Sequence, residues 1–303
     1  MKRLAVIDLG SNSVRMSIYN IDENGGYIET KSFRNMIKLS EGMTADMRLQ
    51  PAAQLRAVRA MLEFKSILAA EGVHDVTAVA TAAVRKALNG DKFLKSVYDA
   101  TGIGVKVIDG KAEAWYDYLA VKNTVGCQNG IICDIGGGST EIIGAADGKV
   151  IFAESIPVGS RGITERFFAN GENDASIRAA KEFFGSETDK LSLPECLKGV
   201  PQVGIGGCLR AVGKYDRRDT TKEKLAKHTI SRDRLEKIFD EIIHSSVEER
   251  KKMPGIGEER ADIILGGIIP LICLTERLNP PSLTVADVGV RDGILFDFMN
   301  NGR

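Results

Sequence analysis

Apolar and polar positions change rhythm several times along this chain. Leu4-Ala5-Val6-Ile7 is an unbroken apolar run, Asp8 to Ser13 is polar and contains a glycine, and Val14-Arg15-Met16-Ser17-Ile18-Tyr19 alternates. An apolar run of strand length, a polar break and a period of two predict a buried strand, a turn and a second strand. Asp22-Glu23-Asn24-Gly25-Gly26 has turn composition, and residues 27–33 read as a third strand, so an antiparallel meander opens the fold. From Pro51 the period lengthens: Leu55, Val58, Met61, Leu62, Ile67 and Leu68 recur at three- and four-residue spacings until Gly72, which predicts a long helix. Residues 76–84 then read as a strand, 91–101 as a helix, 105–108 as a strand and 112–125 as a helix. A meander followed by strand–helix alternation is the pattern of an α/β domain with antiparallel and crossover-connected strands in one sheet.

The pattern then restarts. Ile131-Ile132-Cys133-Asp134-Ile135-Gly136-Gly137-Gly138-Ser139 repeats the opening D-x-G-x-x-S arrangement 126 positions later, Asp8 matching Asp134, Gly10 matching Gly136 and Ser13 matching Ser139. Strands over 141–145 and 150–155, joined by Asp147-Gly148, repeat the hairpin. Two such motifs at the same place in two strand–turn–strand units indicate internal duplication. Helices are expected over 160–169, 175–184, 231–244, 246–252 and 258–278, with Ser246 and Glu249 spaced as a capping box. Pro280-Pro281 ends the last of these, a strand follows over 283–287, and 291–299 reads as a terminal helix. The expected domains are 1–124 with the C-terminal helix of about 288–303, and 125–287 with helical insertions. A hinge lies near residue 125, and a cleft between the halves is where a ligand is expected.

Composition narrows the function classes. With 43% hydrophobic and 27% charged residues among 303, the chain is expected to fold on its own core. Lys plus Arg and Asp plus Glu both number 41, so no global field draws it to nucleic acid or an anionic membrane, and an anionic partner must be held by local patches. The five cysteines include no C-x-x-C pair, which argues against a disulfide framework and a thiolate zinc site and fits a reducing cytoplasm. The apolar stretch from Ile263 to Leu274 contains Pro270 and is shorter than the ~20 residues a bilayer span requires.

The candidate chemistry lies in the duplicated turns. Loops of Gly and Ser between strands let backbone N–H groups approach phosphate oxygens, and hydroxyls add donors. Asp8 and Asp134, each at a strand end just before its loop, are placed to ligate a divalent cation or to position water against the phosphate. The plainer alternative is a pair of hairpins whose glycines only permit tight turns. Residues 210–237 hold ten Lys or Arg against five Asp or Glu, which is either a polyanion track or an ordinary solvated face.

Val6-Ile7-Asp8-Leu9-Gly10-Ser11-Asn12-Ser13-Val14-Arg15, Ala80-Thr81-Ala82-Ala83-Val84-Arg85, Asp134-Ile135-Gly136-Gly137-Gly138-Ser139-Thr140-Glu141 and Gly204-Ile205-Gly206-Gly207 resemble, in order and over nearly the whole chain, the exopolyphosphatase and guanosine pentaphosphate phosphohydrolase family. The resemblance implies the fold of the actin, Hsp70 and sugar-kinase superfamily. That means two related actin-like ATPase-type (ribonuclease H-like) α/β domains, each with a mixed five-stranded sheet and flanking helices. Cys208 stands where the family usually has Thr, and Gly289-Val290-Arg291-Asp292-Gly293 departs mildly from its terminal motif. The chain ends at Arg303 without the family's extra C-terminal helical domains, so it is expected to be the short two-domain form, with long-chain processivity in question.

By the same resemblance Glu113 is the catalytic carboxylate that orients and deprotonates water, and Glu141 a second catalytic or metal-linked one. Residue by residue, Glu113 also reads as an ordinary first-turn acid and Glu141 as a strand residue on a solvent face. Arg85, read as ending its strand, suits bidentate phosphate binding; the facing of Arg15 stays open. Substrate is expected on Ser11, Asn12, Ser13, Arg85, Gly136, Gly137, Gly138, Ser139, Gly206 and Gly207, and Mg²⁺ or Mn²⁺ on Asp8 and Asp134. The expected function is a cytoplasmic hydrolase that releases terminal phosphate from inorganic polyphosphate or from guanosine pentaphosphate, the stringent-response nucleotide. It is expected to act without nucleic-acid or membrane partners, with a homodimer allowed. An ATP-dependent phosphotransferase or ATPase, and a non-catalytic polyphosphate or nucleotide sensor, are the alternatives.

Overall fold

The computed structural model describes residues 2–43, 46–221, 225 and 227–301. The chain forms two compact units, Met1–Tyr116 with Val290–Arg303, and Asp117–Gly289.

In the first unit, β1 (Lys2–Leu9), β2 (Ser13–Ile21) and β3 (Tyr27–Met36) form the antiparallel meander. Helix α1 (Pro51–Glu71) leads to β4 (Asp75–Ala80), then α2 (Ala82–Lys86) and α3 (Gly90–Thr101), β5 (Val105–Val107) and α4 (Gly110–Thr124). The five-stranded sheet has the order β3-β2-β1-β4-β5, with β4 and β5 parallel to β1. Strand β1 is central and buried on both faces, which is why its sequence reads as a continuous apolar run. Ala5, Ile7 and Leu9 pack with Ala57, Met61 and Phe64 of α1, whereas Leu4 and Val6 pack with the C-terminal helix. The α1 boundaries follow their sequence signals: Pro51 opens it and Gly72, at φ +62°, closes it.

The 76–84 stretch departs from its expected strand. The chain leaves the sheet at Ala80, and Ala82-Ala83-Val84-Arg85-Lys86 turns into α2. Ala82 and Ala83 favour helix once sheet pairing ends. Arg85 therefore sits in a helical turn and does not end a strand.

The second unit repeats the meander as β6 (Gly130–Ile135), β7 (Thr140–Ala146) and β8 (Lys149–Ile156), followed by α5 (Ser160–Phe167) and α6 (Asp174–Asp189). Then come β9 (Gln202–Ile205), α7 (Gly207–Asp216), β10 (His228–Ser231), α8 (Arg232–Ile243), α9 (Val247–Lys252), α10 (Ile264–Leu278), β11 (Ser282–Val285) and, back in the first unit, α11 (Val290–Asn301). The second sheet has the order β10-β11-β9-β6-β7-β8, six strands where five are expected. The additional edge strand is β10, whose four residues pair antiparallel with β11. A four-residue edge strand offers too little alternation to be read from sequence.

The Ser246–Glu249 capping box forms as spaced. The expected helix over 258–278 starts only at Ile264, because 258–263 is a run of turns. Residues Ile264 to Thr275 are buried on every side, making α10 the central helix of this unit. A Cβ on Gly266 would strike Ser160 and Thr164 of α5, and one on Gly267 would strike Cys208 of α7, so both glycines permit close helix packing. Among the described residues no helix is long and apolar enough to cross a membrane.

Candidate active site

The two glycine turns have the same internal geometry. Gly10 N–H donates to the Ser13 carbonyl at 3.1 Å, and Gly136 N–H donates to the Ser139 carbonyl at 3.0 Å. The first loop is held from outside: the Asn12 carbonyl accepts from the N–H groups of Ile37 (3.1 Å) and Lys38 (2.8 Å), and the Ser11 carbonyl accepts from Ser40 N–H (3.0 Å). The second is held by the start of α5. Ser160 N–H donates to Gly136 O at 2.9 Å and Arg161 N–H to Gly137 O at 3.0 Å. Gly159 makes that approach possible, since a Cβ there would lie 2.6–2.7 Å from the backbone of Gly136, Gly137 and Gly138. Ser11 and Ser139 are buried, while Asn12, Ser13 and the three glycines are partly open.

The duplicated hairpins differ at one position of great chemical consequence. Across β1 and β2, Asp8 stands opposite Arg15; across β6 and β7, Asp134 stands opposite Glu141. Directly opposed residues in an antiparallel pair project on the same face, so the register settles the facing of Arg15. In the first unit Asp8 is half-buried, and loss of water pushes its carboxyl up from the ordinary range, partly offset by Arg291 and Arg15. In the second unit the corresponding pair is acid on acid.

Asp117 joins that acidic pair. Carboxylate oxygens of Asp117, Asp134 and Glu141 lie within 4.8 Å of one another, with Asp117 0% and Glu141 1% exposed. Glu141 also accepts from Ser155 Oγ at 2.7 Å. Carboxylates so close and so buried repel unless one is protonated or a cation lies among them. An all-oxygen donor set of this charge suits a hard divalent cation. Asp134 and Glu141 are thus brought together, with Asp117 as a third carboxylate. Asp8 belongs to the first unit together with Ser11 to Ser13, Arg85 and Glu113. Asp117 was missed in the sequence because nothing local sets it apart from an ordinary helix acid; its place one turn after Glu113 on α4 was the available signal.

Glu113 lies in the first turn of α4 and is 6% exposed. Its N–H donates to the Asp109 carbonyl at 3.0 Å, and the Asp109 side chain caps the same turn by accepting from Ala112 N–H at 2.8 Å. Arg85 Nη1 donates to Glu113 Oε2 at 2.8 Å and to the Ile108 carbonyl at 2.9 Å. The two residues expected to activate water and hold phosphate are therefore partners.

Gly206, at φ +95°, precedes the first turn of α7, and the position of its absent Cβ lies 2.5 Å from Asp134 Oδ1. The corresponding position at Gly207 is filled by the guanidinium of Arg260. The Gly206-Gly207 turn is therefore flanked by a carboxylate of the acidic cluster and by an arginine, where the N–H groups of a helix start also favour anions. Burial lowers the proton affinity of Arg260, with Arg210 nearby adding to the effect. Sequence reasoning missed Arg260 because the 258–278 stretch reads as one helix.

Several cations of the basic run are paired with acids inside it and beyond it. Arg234 pairs with Asp216 at 2.7 Å and Glu241 at 3.0 Å, Arg232 with Glu236 at 2.8 Å, His228 with Asp216 at 2.7 Å, and Arg210 with Asp287. Lys222 and Lys224, which the polyanion-track reading also invokes, lie outside the described residues.

Two glycine loops on duplicated sheets, with carboxylates beside them, belong to an actin-like α/β protein. The model of the Ppx/GppA phosphatase family matches residues 17–302, and the chain belongs to that family. It is similar to the crystal structure of an Aquifex aeolicus Ppx/GppA family member, with 28% identity, a TM-score of 0.82, and 100% and 99% of the two chains covered. A further structure of the Aquifex aeolicus PPX-GPPA enzyme matches at 30% identity and a TM-score of 0.81, covering 98% and 99%. An exopolyphosphatase from Cytophaga hutchinsonii shares the fold, with a TM-score of 0.88 at 22% identity over 99% and 98% of the chains.

Proposed function

We propose that this protein hydrolyses terminal phosphoanhydride bonds, with inorganic polyphosphate or guanosine pentaphosphate as substrate. The observation that carries the reading is the convergence of Asp134 with the buried Asp117 and Glu141 beside a phosphate-type glycine loop. Family membership supports the same class of reaction.

Asp117, Asp134 and Glu141 would hold Mg²⁺ or Mn²⁺, and Asp8 is a further candidate in the first unit. Such a cation, when bound, neutralises charge on the anhydride oxygens. In the second unit the backbone N–H groups of Gly136 to Gly138 and the Ser139 hydroxyl are donors for non-bridging phosphate oxygens; in the first unit the hydroxyls of Ser11 and Ser13 and the Asn12 side chain are. Gly206-Gly207 and Arg260 form another anion-binding element. Glu113 Oε2 accepts the proton of the attacking water, and Arg85 holds that carboxylate and takes a phosphate oxygen as substrate arrives. The new P–O bond forms to water as the bond from the terminal phosphorus to the bridging oxygen breaks. Inorganic phosphate leaves, and the remainder is shorter by one unit.

The test is phosphate release from polyphosphate and from guanosine pentaphosphate, with Mg²⁺ and without any acceptor nucleotide. Release from either, lost in Glu113→Gln, is the expected result. Turnover that depends on ADP or another acceptor would replace hydrolysis by phosphotransfer.

A further inference from the structure

Arg250, on α9, is the largest of the wholly buried side chains among the described residues, with 0% exposure. Its guanidinium is spent on three segments. Nε and Nη2 donate to the Ser245 carbonyl at 3.1 and 2.9 Å, in the turn between α8 and α9. Nη1 donates to Glu172 Oε1 at 3.3 Å and Nη2 to Glu172 Oε2, in the loop between α5 and α6. Nη1 also donates to the Ala261 carbonyl at 3.2 Å.

Ala261 follows Arg260 directly. The Arg260 carbonyl accepts from the N–H groups of Ile263 (2.9 Å) and Ile264 (2.8 Å), which ties it to the start of α10. The backbone that carries the Arg260 guanidinium to Gly207 is thus held on one side by α10 and on the other by Arg250. A buried ion pair is a poor source of stability, because apolar replacements of similar volume are often as stable. It is a good source of a single geometry, since a planar fork with directed donors is satisfied in only one arrangement.

We propose that the Arg250–Glu172 pair is a positioning device that sets the Arg260 guanidinium against the start of α7 and thereby sets the affinity of that turn for phosphate. The inference rests on the reading of Arg260 as a phosphate-binding residue. Neither Arg250 nor Glu172 touches substrate; they act through the 257–263 turns.

A double-mutant cycle separates this from a merely structural role. Tripolyphosphate binding is measured by calorimetry in EDTA for the parent, Glu172→Gln, Arg260→Gln and the double variant, alongside urea unfolding. Glu172→Gln should weaken binding about fivefold in the parent and not further in the Arg260→Gln background, as for residues sharing one network. Its effect on the urea midpoint should be the same in both backgrounds. Equal weakening in both backgrounds overturns the positioning role while leaving Arg260 as a ligand. Unchanged binding in Arg260→Gln overturns the reading beneath it, and the inference with it. Should Glu172→Gln fail to fold, Arg250→Lys takes its place: the ammonium still answers Glu172 but cannot also hold Ala261, and the same pattern of loss is expected.

Discussion

Arg85 Nη1 lies 2.8 Å from Glu113 Oε2 and 2.9 Å from the Ile108 carbonyl, so one nitrogen serves both the carboxylate at the start of α4 and the chain that leads into it. Of the two side chains, Glu113 is 8% and Arg85 21% exposed, which leaves the guanidinium as the more open partner. A phosphate arriving here meets an arginine already engaged, with further donors on its fork.

That arrangement separates two roles by kinetics. Glu113→Gln should lower kcat by ~10²-fold or more with little change in KM, since a positioned general base contributes on that order. Arg85→Met should lower kcat and also raise KM roughly tenfold, as expected for losing a charge-assisted phosphate contact. A change in kcat alone would mean that Arg85 only holds Glu113.

The acidic cluster makes a prediction that needs no turnover. Removing one of three close carboxylates, two of them buried, relieves repulsion, so Asp117→Asn should raise the Tm of the metal-free protein by about 2 °C or more. The parent should gain stability from Mn²⁺ by mass action, about 2.7 kcal/mol at a hundred times Kd. Asp117→Asn should lose most of that gain. Thermal scans with and without Mn²⁺ read both effects.

Two glycines at the start of α5 should answer differently to the same change. Gly159→Ala forces a Cβ into the backbone of Gly136 to Gly138 and should cost about 1–3 kcal/mol as an overpacking strain, together with weakened phosphate binding. Gly162→Ala, on the same helix with nothing within 4 Å, should be neutral or stabilise by about 0.5–1 kcal/mol through helix propensity. Urea unfolding of the two variants, side by side, checks the pair.

Asp216 links the C-terminal end of α7 to β10 and α8. Burial disfavours its charged form, but hydrogen bonds from His228 and Arg234 outweigh this and hold its carboxyl below the ordinary carboxylate range. A depressed folded value adds stability above the unfolded value of about 3.9, and that stability is lost as pH falls through the lower folded value. Asp216→Asn should therefore destabilise the protein at pH 7, and the penalty should shrink as pH falls below the unfolded value. Urea midpoints measured across that range give the sign directly.

Much of this protein is legible in its sequence because the signals are local. Pro51 and Gly72 bracket α1, the D-x-G-x-x-S repeat marks both hairpins, and the 126-residue offset shows the duplication before any fold is seen. Backbone stereochemistry and hydrophobic period act over a few residues, so strands, helix ends and the glycine loops follow from composition and spacing. The resemblance over the same motifs singled out Glu113, Glu141 and both aspartates as candidates.

The rest depended on which segments meet. Residues 76–84 look like one strand, yet sheet pairing stops at Ala80, and only the folded sheet says where. Residues 258–278 have one helical rhythm, but Arg250, buried eleven positions before Ala261, captures its carbonyl, and α10 begins after it. The acidic cluster shows the division most plainly. Asp134 and Glu141 face one side because strand register is periodic, a fact within reach of sequence. Asp117 reaches them from a helix, and Arg260 reaches Gly207 from a turn more than fifty residues away in sequence. Such contacts are set by packing across long loops, where side-chain volume and burial decide the geometry and no local period records it.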